Sequence, residues 1–430
     1  MTNPSKRLDP RVFKIPIDRI RAGYYSDKYF TRFVEVLRKK QHFPNVLYQF
    51  FPRKDACVVG LDEAAAILHS CTGFYRDQHT ANDLFSRILD IERQLQAVAY
   101  DVDRQKMETL FREKWDMRER LNENWQSGWD ELEVHALHDG DLAKKDEIIL
   151  TVRGNPALFG YLETVLLGVI SRASSTATAV KKVVRAAGGK PVMFFSARFD
   201  HYWVQATDGY AALKAGAFGV STDANADYWG AESLGTIPHA LIASFGGDTF
   251  SAAQAFDECI SPNVQRMVLV DWDNDCIGTT LDVISRLYQQ QTGKLFKPWA
   301  SDPSPVIGPG KGKIWAVRFD TSGSLRDRSV VPQGKFSLGV CPELVWRARK
   351  EFDRLGAKDL KIMVTGGFDA EKIALFEEMD VPADLYGVGS SLLKEKIDCT
   401  ADIVEVAGKP CAKVGRGKGD LSRLERVFAG

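Results

Sequence analysis

Apolar positions along the chain change rhythm near residue 156 and again near residue 192. Residues 1–25 show no clear period and read as extended. From Ser26 to about Lys40, Phe30, Phe33, Val34 and Leu37 fall on one helical face, with Ser26 or Asp27 as N-cap. Residues 46–51 and 56–59 read as strands and 61–71 as a helix. Residues 80–124 are largely helical and rich in charge; 131–153 returns to strand character. After Pro156 comes a strongly apolar helix, 158–171, then another, 174–187, closed by Gly188 and Gly189. From Val192 short apolar runs alternate with helical stretches. Strands are expected at 192–195, 217–221, 266–270, 314–318, 360–364 and 384–388, and helices at 204–215, 249–258, 277–290, 338–355 and 369–379. That alternation predicts a parallel sheet with helical crossovers. The order alone fits an open sheet or a barrel. Polar and Gly-rich motifs at several strand ends favour a barrel with its site at the C-terminal face. Residues 401–428 read as a β-rich tail returning to protect the edge strands of the N-terminal part. The expected class is α/β: an α+β domain at 1–150, an α/β barrel at 151–395 and a returning tail at 396–430.

Composition narrows the possible partners. Lys plus Arg and Asp plus Glu are both 57, so no net charge attracts nucleic acid, although local basic grooves for phosphate stay open. Acids and bases alternate through 80–124, so that segment, despite Trp115, reads as a solvated amphipathic helix rather than a nucleic-acid surface. Apolar content of 44% and a mean hydropathy of −0.22 are ordinary for a globular chain. No apolar run reads as long enough to cross a bilayer, and MTNPSKRLDP lacks a signal core. No membrane partner is expected. Seven dispersed cysteines without a CxxC pair argue for reduced thiols, which makes the cytoplasm the expected compartment.

Candidate chemistry gathers where the expected strands end. Arg198 follows 192–195, Gly219–Ser221 closes the next run, and Gly235-Thr236-Ile237-Pro238-His239 is a turn-rich segment with one His. His239 has no H-x-x-x-H or Cys partner, which disfavours a metal ligand. A nucleophile, a general base and a structural His all stay open. Arg318 and Asp320, two apart on a strand, share a face and read either as a structural ion pair or as site residues. Asp271 opens a D-W-D-N-D run that lacks the Gly and Glu of an EF-hand loop. Thr365-Gly366-Gly367 and Gly387-Val388-Gly389-Ser390 follow consecutive late strands. Each turn alone is consistent with tight turning; together they can offer N–H groups to one phosphate. On sequence alone Tyr29 reads as a packing aromatic.

The segments SDKYF, YLETVLL, FSAR, GVST, GTIPH, VRFDTSGS, TGG, YGVGSS and VEVAGKPCAKVGR, in that order, resemble the nicotinate phosphoribosyltransferase family, in its shorter archaeal-like branch. The resemblance runs from about Ser26 to the end. It implies an irregular type II phosphoribosyltransferase barrel beside an α+β domain, working as a homodimer with shared active sites. The implied reaction joins nicotinate to 5-phosphoribosyl 1-diphosphate in NAD biosynthesis, with Mg2+ as cofactor and ATP as co-substrate acting through a phosphorylated His239. Carried over by position, Phe195 and Tyr29 sandwich the pyridine ring, Tyr29 across the dimer. Arg198, Thr236 and Arg318 hold nicotinate or a neighbouring phosphate. Asp271 and the catalytic Asp320 bind ribose hydroxyls or magnesium-diphosphate, with Asp271 the candidate metal ligand. Gly366, Gly367, Gly387, Gly389 and Ser390 cradle the 5-phosphate. Ser221 stands where nicotinamide-using relatives carry an Asp; a hydroxyl can donate to a carboxylate that an Asp would repel.

Three positions depart from the family pattern. The usual Arg-x-Asp-Ser-Gly-Asp reads Arg318-Phe319-Asp320-Thr321-Ser322-Gly323-Ser324, without its second Asp. Phe199 replaces a common basic residue, and Thr365 a common Ser. The first two bear on diphosphate and carboxylate binding and on ATP coupling. The rival readings are a quinolinate or nicotinamide phosphoribosyltransferase and a catalytically silent phosphoribosyl-ligand binding protein.

Overall fold

The computed structural model describes residues 7–101, 103–228, 233 and 235–427; the expectations for residues 1–6 and for the last tail residue, 428, lie outside these. The chain forms two compact units, residues 1–175 with 396–430, and residues 176–395.

The first unit is built on an antiparallel sheet. Val46–Pro52 is buried at every position, which explains why its run is apolar at all but one residue. It pairs with Leu150–Gly154 on one side and with the tail strand Cys399–Val406 on the other. The one polar residue in that run, Gln49, is satisfied by the tail: its Nε2 donates to Gly417 O (2.7 Å) and its Oε1 accepts from Gly419 N (3.1 Å). Glu133–Ala136 extends the sheet beyond Leu150–Gly154, and Glu425–Arg426 closes that side. The tail thus completes the sheet as expected, with Glu425–Arg426 as its last strand. Because Leu150–Gly154 lies inside this sheet, a boundary after residue 150 would cut it; the units divide after Ser175.

Several local expectations need correction. Residues 1–25 are not uniformly extended, since Ile17–Arg21 is helical and buries Ile20. Asp27 precedes the helix Lys28–Lys39 in extended conformation without a side-chain cap, while Ser26 Oγ donates to Tyr161 O at 2.6 Å. The two helices expected between 158 and 187 are one helix, Glu163–Ala186, entered through Pro156–Phe159 and a 3-10 turn, Gly160–Leu162. Its middle holds no Gly or Pro, and its hydroxyls are bonded: Ser174 to Val59, Ser175 to Ser171 O. Contrary to expectation, the run Pro156–Ala186 is long and apolar enough to cross a membrane by length and composition. It is a core element: Leu158, Leu162, Leu166 and Ile170 are buried. The stretch 80–124 is a hairpin of Gln78–Asp101 and Arg104–Glu123, with Ile91, Val98 and Leu110 inside and Trp115 exposed. Ion pairs such as Arg87–Glu113 lace its outer face.

Glu63, in the first turn of Leu61–Cys71, is pushed up to about 7 by burial, with the Asp139 carboxylate adding to the effect. A carboxyl raised in the folded state contributes stability that is complete below its unfolded value and is lost as pH rises through about 7. Glu63→Gln is therefore expected to melt above wild type at pH 8, by up to about 3 kcal/mol of stability, with the gap closing at pH 4. Thermal scans of both proteins at the two pH values check this; an equal gap at both would refute it.

The second unit carries six parallel strands: β1 Val192–Phe194, β2 Gly219–Val220, β3 Met267–Leu269, β4 Ala316–Phe319, β5 Lys361–Val364 and β6 Leu385–Val388. The spatial order is β3-β4-β5-β6-β1-β2. Each neighbour pair follows the chain, and the last strand rejoins the first. That is barrel winding, in which no strand order reverses. Among the described residues no pairing joins β2 to β3, so the wall is open there. The segment before His239 lies along this gap, with Ile237 N donating to Met267 O at 3.4 Å. The crossover helices begin at bonded caps, Asp248 on Phe250 N, Asp275 on Gly278 N and Asp369 on Lys372 N.

Candidate active site

Strand alternation builds the site. Met193, Met267, Ala316, Met363 and Leu385 pack together on one face of the sheet. Positions two further along share that face, namely Phe195, Arg318, Thr365 and Gly387. Just past the strand ends follow Asp320, Gly367 and Gly389, with Asp271 two residues after β3 and Ser221 next after β2. An apolar floor is thus followed, toward the C-terminal strand ends, by a charged layer.

Two linked polar groups organise that layer. Arg318 NH1 donates to Thr236 Oγ1 at 2.7 Å, and its NH2 lies 3.6 Å from Asp320 Oδ2. Its Nε is buried without a partner, an unused donor of the kind a bound anion satisfies. Burial pulls the Arg318 guanidinium below its ordinary value; Asp320 and Asp271 oppose this and Arg198 adds to it. Asp320 Oδ1 accepts from Thr365 Oγ1 at 2.7 Å. Beside this pair, His239 Nε2 faces both oxygens of Asp271, at 3.1 and 3.2 Å. The Asp271 side chain is 8% exposed, and burial raises it above the usual carboxylate range; His239 opposes this and Asp320 adds to it. Arg198, Arg318, Asp271, Asp320, His239 and Thr236 are therefore brought into one electrostatic neighbourhood.

The other expected residues fall as follows. Phe195 is half-buried at the end of β1 and packs over Gly387, where an added Cβ would meet its ring at 2.9 Å, Thr365 Cγ2 at 2.5 Å and Met363 Cε at 2.7 Å. Gly389 is similarly overlain by the Phe199 ring. These two glycines admit aromatic rings, a packing role absent from the phosphate expectation. Gly366 and Gly367 have φ of +82° and +73°, and the space beside Gly367 is open. Ser390 is exposed at the start of a 3-10 turn, Ser390–Leu393. Ser221 directly follows β2, whereas Asp223 lies beyond it in the short helix Asp223–Ala226. Tyr29 belongs to the first unit, 62% exposed, its hydroxyl donating to Asp27 Oδ2 at 3.3 Å. Two partnerships are not apparent in the motifs, His239 with Asp271 and Thr365 with Asp320. Counting by twos from Met363 is the signal that finds the second.

No protein-family model matches the chain. It is 29% identical over 292 residues to nicotinate phosphoribosyltransferase pncB1 of Mycobacterium tuberculosis, covering 65% of this chain and 55% of that protein. It is 26% identical over 276 residues to pncB2 of the same organism, covering 63% and 49%. The chain thus spans about half the length of these curated relatives. The structure of nicotinate-nucleotide pyrophosphorylase from Pyrococcus furiosus superposes with a TM-score of 0.66 at 28% identity, over 97% of this chain and 86% of that one. Human nicotinic acid phosphoribosyltransferase shares the fold, with a TM-score of 0.56 at 17% identity over 90% and 75%. A half-open parallel barrel in one unit and an antiparallel sheet completed by the C-terminal strands in the other make up the type II phosphoribosyltransferase fold. The chain shares this fold and is similar in sequence to nicotinate phosphoribosyltransferases.

Proposed function

We propose that this protein transfers the phosphoribosyl group of 5-phosphoribosyl 1-diphosphate to nicotinate, releasing diphosphate and forming nicotinate mononucleotide for NAD biosynthesis, with ATP hydrolysis coupled through His239. The observation that carries this reading is the part-buried Arg318, bonded to Thr236, beside Asp320, with its buried Nε donor unused. The ring nitrogen needs no base. Its lone pair forms the bond to the anomeric carbon while the carbon–oxygen bond to diphosphate breaks and that electron pair leaves with diphosphate. Positive charge gathers at the sugar, where the Asp320 carboxylate stabilises it. Arg198 and Arg318 hold the anionic groups, the nicotinate carboxylate or a phosphate. Ser221 donates to that carboxylate, and Phe195 supplies one aromatic face, with Tyr29 of the partner subunit in a homodimer supplying the other. Gly366, Gly367, Gly387, Gly389 and Ser390 offer backbone N–H groups to the 5-phosphate, and the absence of a Cβ on Gly387 leaves room for the Phe195 ring.

Magnesium suits this donor set. It is typically bound by one or two carboxylates plus substrate phosphates, and Asp320, a quarter exposed, is such a carboxylate. Asp271 has both oxygens on His239 and is the poorer ligand. When bound, the ion neutralises the departing diphosphate.

The test is turnover of the purified protein with phosphoribosyl diphosphate and magnesium, offered nicotinate, nicotinamide or quinolinate, with and without ATP. Nicotinate is expected to be used, faster with ATP. Preference for quinolinate or nicotinamide would reassign the substrate, and no product from any of the three would refute the transferase reading.

A further inference from the structure

We propose that Thr365 is a positioning residue for Asp320, and that Gly387 is the seat that fixes its rotamer. The inference rests on the proposed phosphoribosyl transfer. Thr365 is buried, and its hydroxyl lies 2.9 Å from Phe319 O and 2.7 Å from Asp320 Oδ1. One hydroxyl carries one proton. Phe319 O already has the Thr365 backbone N–H at 2.9 Å, and the ionised carboxylate is both the nearer and the stronger acceptor, so the hydroxyl proton goes to Asp320. The methyl group decides the rest. Thr365 Cγ2 occupies the space that a Cβ on Gly387 would need, at 2.5 Å. A β-branched side chain has few χ1 states, and with its methyl held there the hydroxyl points at Asp320.

The carboxylate is thereby fixed from two sides, Oδ1 by Thr365 and Oδ2 facing Arg318 NH2 at 3.6 Å. Gly366 closes the third side; a Cβ there would stand 3.2 Å from Asp320 Oδ1. Thr365 touches no reacting atom in this reading. It sets the plane in which the carboxylate meets the sugar, which is where a loosely held group loses most of its effect.

The experiment compares wild type, Thr365→Ser, Thr365→Val, Asp320→Asn and the Thr365→Val/Asp320→Asn double variant. Steady-state kinetics are run alongside calorimetric titration with phosphoribosyl diphosphate and magnesium, and melting temperatures control for folding. Thr365→Val is expected to lower kcat/KM for phosphoribosyl diphosphate roughly 10–100-fold, the range of a lost hydrogen bond to a charged group. The KM for nicotinate stays unchanged, Thr365→Ser restores most of the activity, and the valine change adds almost nothing once Asp320 is Asn. An undiminished valine effect in the Asp320→Asn background, or a serine variant as impaired as valine, overturns the proposal. If wild type turns over no pyridine yet binds phosphoribosyl diphosphate with the same Thr365 pattern, the reaction is wrong and the positioning stands. If it neither turns over nor binds, both fall.

Discussion

Asp320→Asn is expected to lower kcat for nicotinate about 10²–10³-fold, by analogy with loss of one preorganised electrostatic contact, while the protein folds normally. The substitution keeps the shape. An amide oxygen still accepts from Thr365, so the side chain stays where it is. It removes the negative charge opposite Arg318 and beside Asp271. The bound sugar carries little charge; the sugar losing diphosphate carries much. The loss therefore falls on kcat more than on the KM for nicotinate, whose carboxylate is held elsewhere. Steady-state kinetics with each substrate varied in turn check this. A kcat within about twofold of wild type, under 0.5 kcal/mol of barrier, would remove Asp320 from the mechanism.

His239→Ala is expected to abolish the stimulation by ATP while leaving slow ATP-independent transfer. Both Asp271 oxygens face Nε2, so that nitrogen carries the proton and the lone pair lies on Nδ1. An imidazole fixed in one tautomer by a buried carboxylate is prepared for nucleophilic attack on a phosphoryl group. The accompanying measurement is label transfer from γ-labelled ATP to the protein, recovered in alkali and lost in acid as a phosphorus–nitrogen bond requires. Labelling that persists in the Ala variant would put the phosphoryl group on another residue. Equal stimulation in both proteins would leave His239 a structural residue.

Much of this was readable from alternation and turn chemistry. The six strands of the second unit lie within two residues of their expected ends because short apolar runs bounded by Gly and charge have few other solutions. Barrel winding was favoured by the polar and Gly-rich strand ends, as the sheet bears out; the meeting of β6 with β1 that closes the order is set by tertiary packing and was not itself readable. Within the helix Glu163–Ala186 a Ser-rich stretch suggests a cap and hence two helices; bonds to distant backbone, such as Ser174 to Val59, override that preference. In the site, Arg318 and Asp320 were legible as neighbours on one face. The His239–Asp271 pair was not, because it joins two segments 32 residues apart across the open side of the wall. Gly387 suggested phosphate; that it also makes room for aromatic packing lies in tertiary contacts and was not legible.

The strand Val46–Pro52 gains one of its two neighbours only from residues 399–406. On the ribosome, this strand must therefore wait for a partner that follows the whole of residues 176–395, holding an apolar edge unpaired while the barrel is made. Residues 176–395 are contiguous and meet no such delay. The order of synthesis is thus opposed to the order of completion, and the barrel has finished emerging before the unit that precedes it can close.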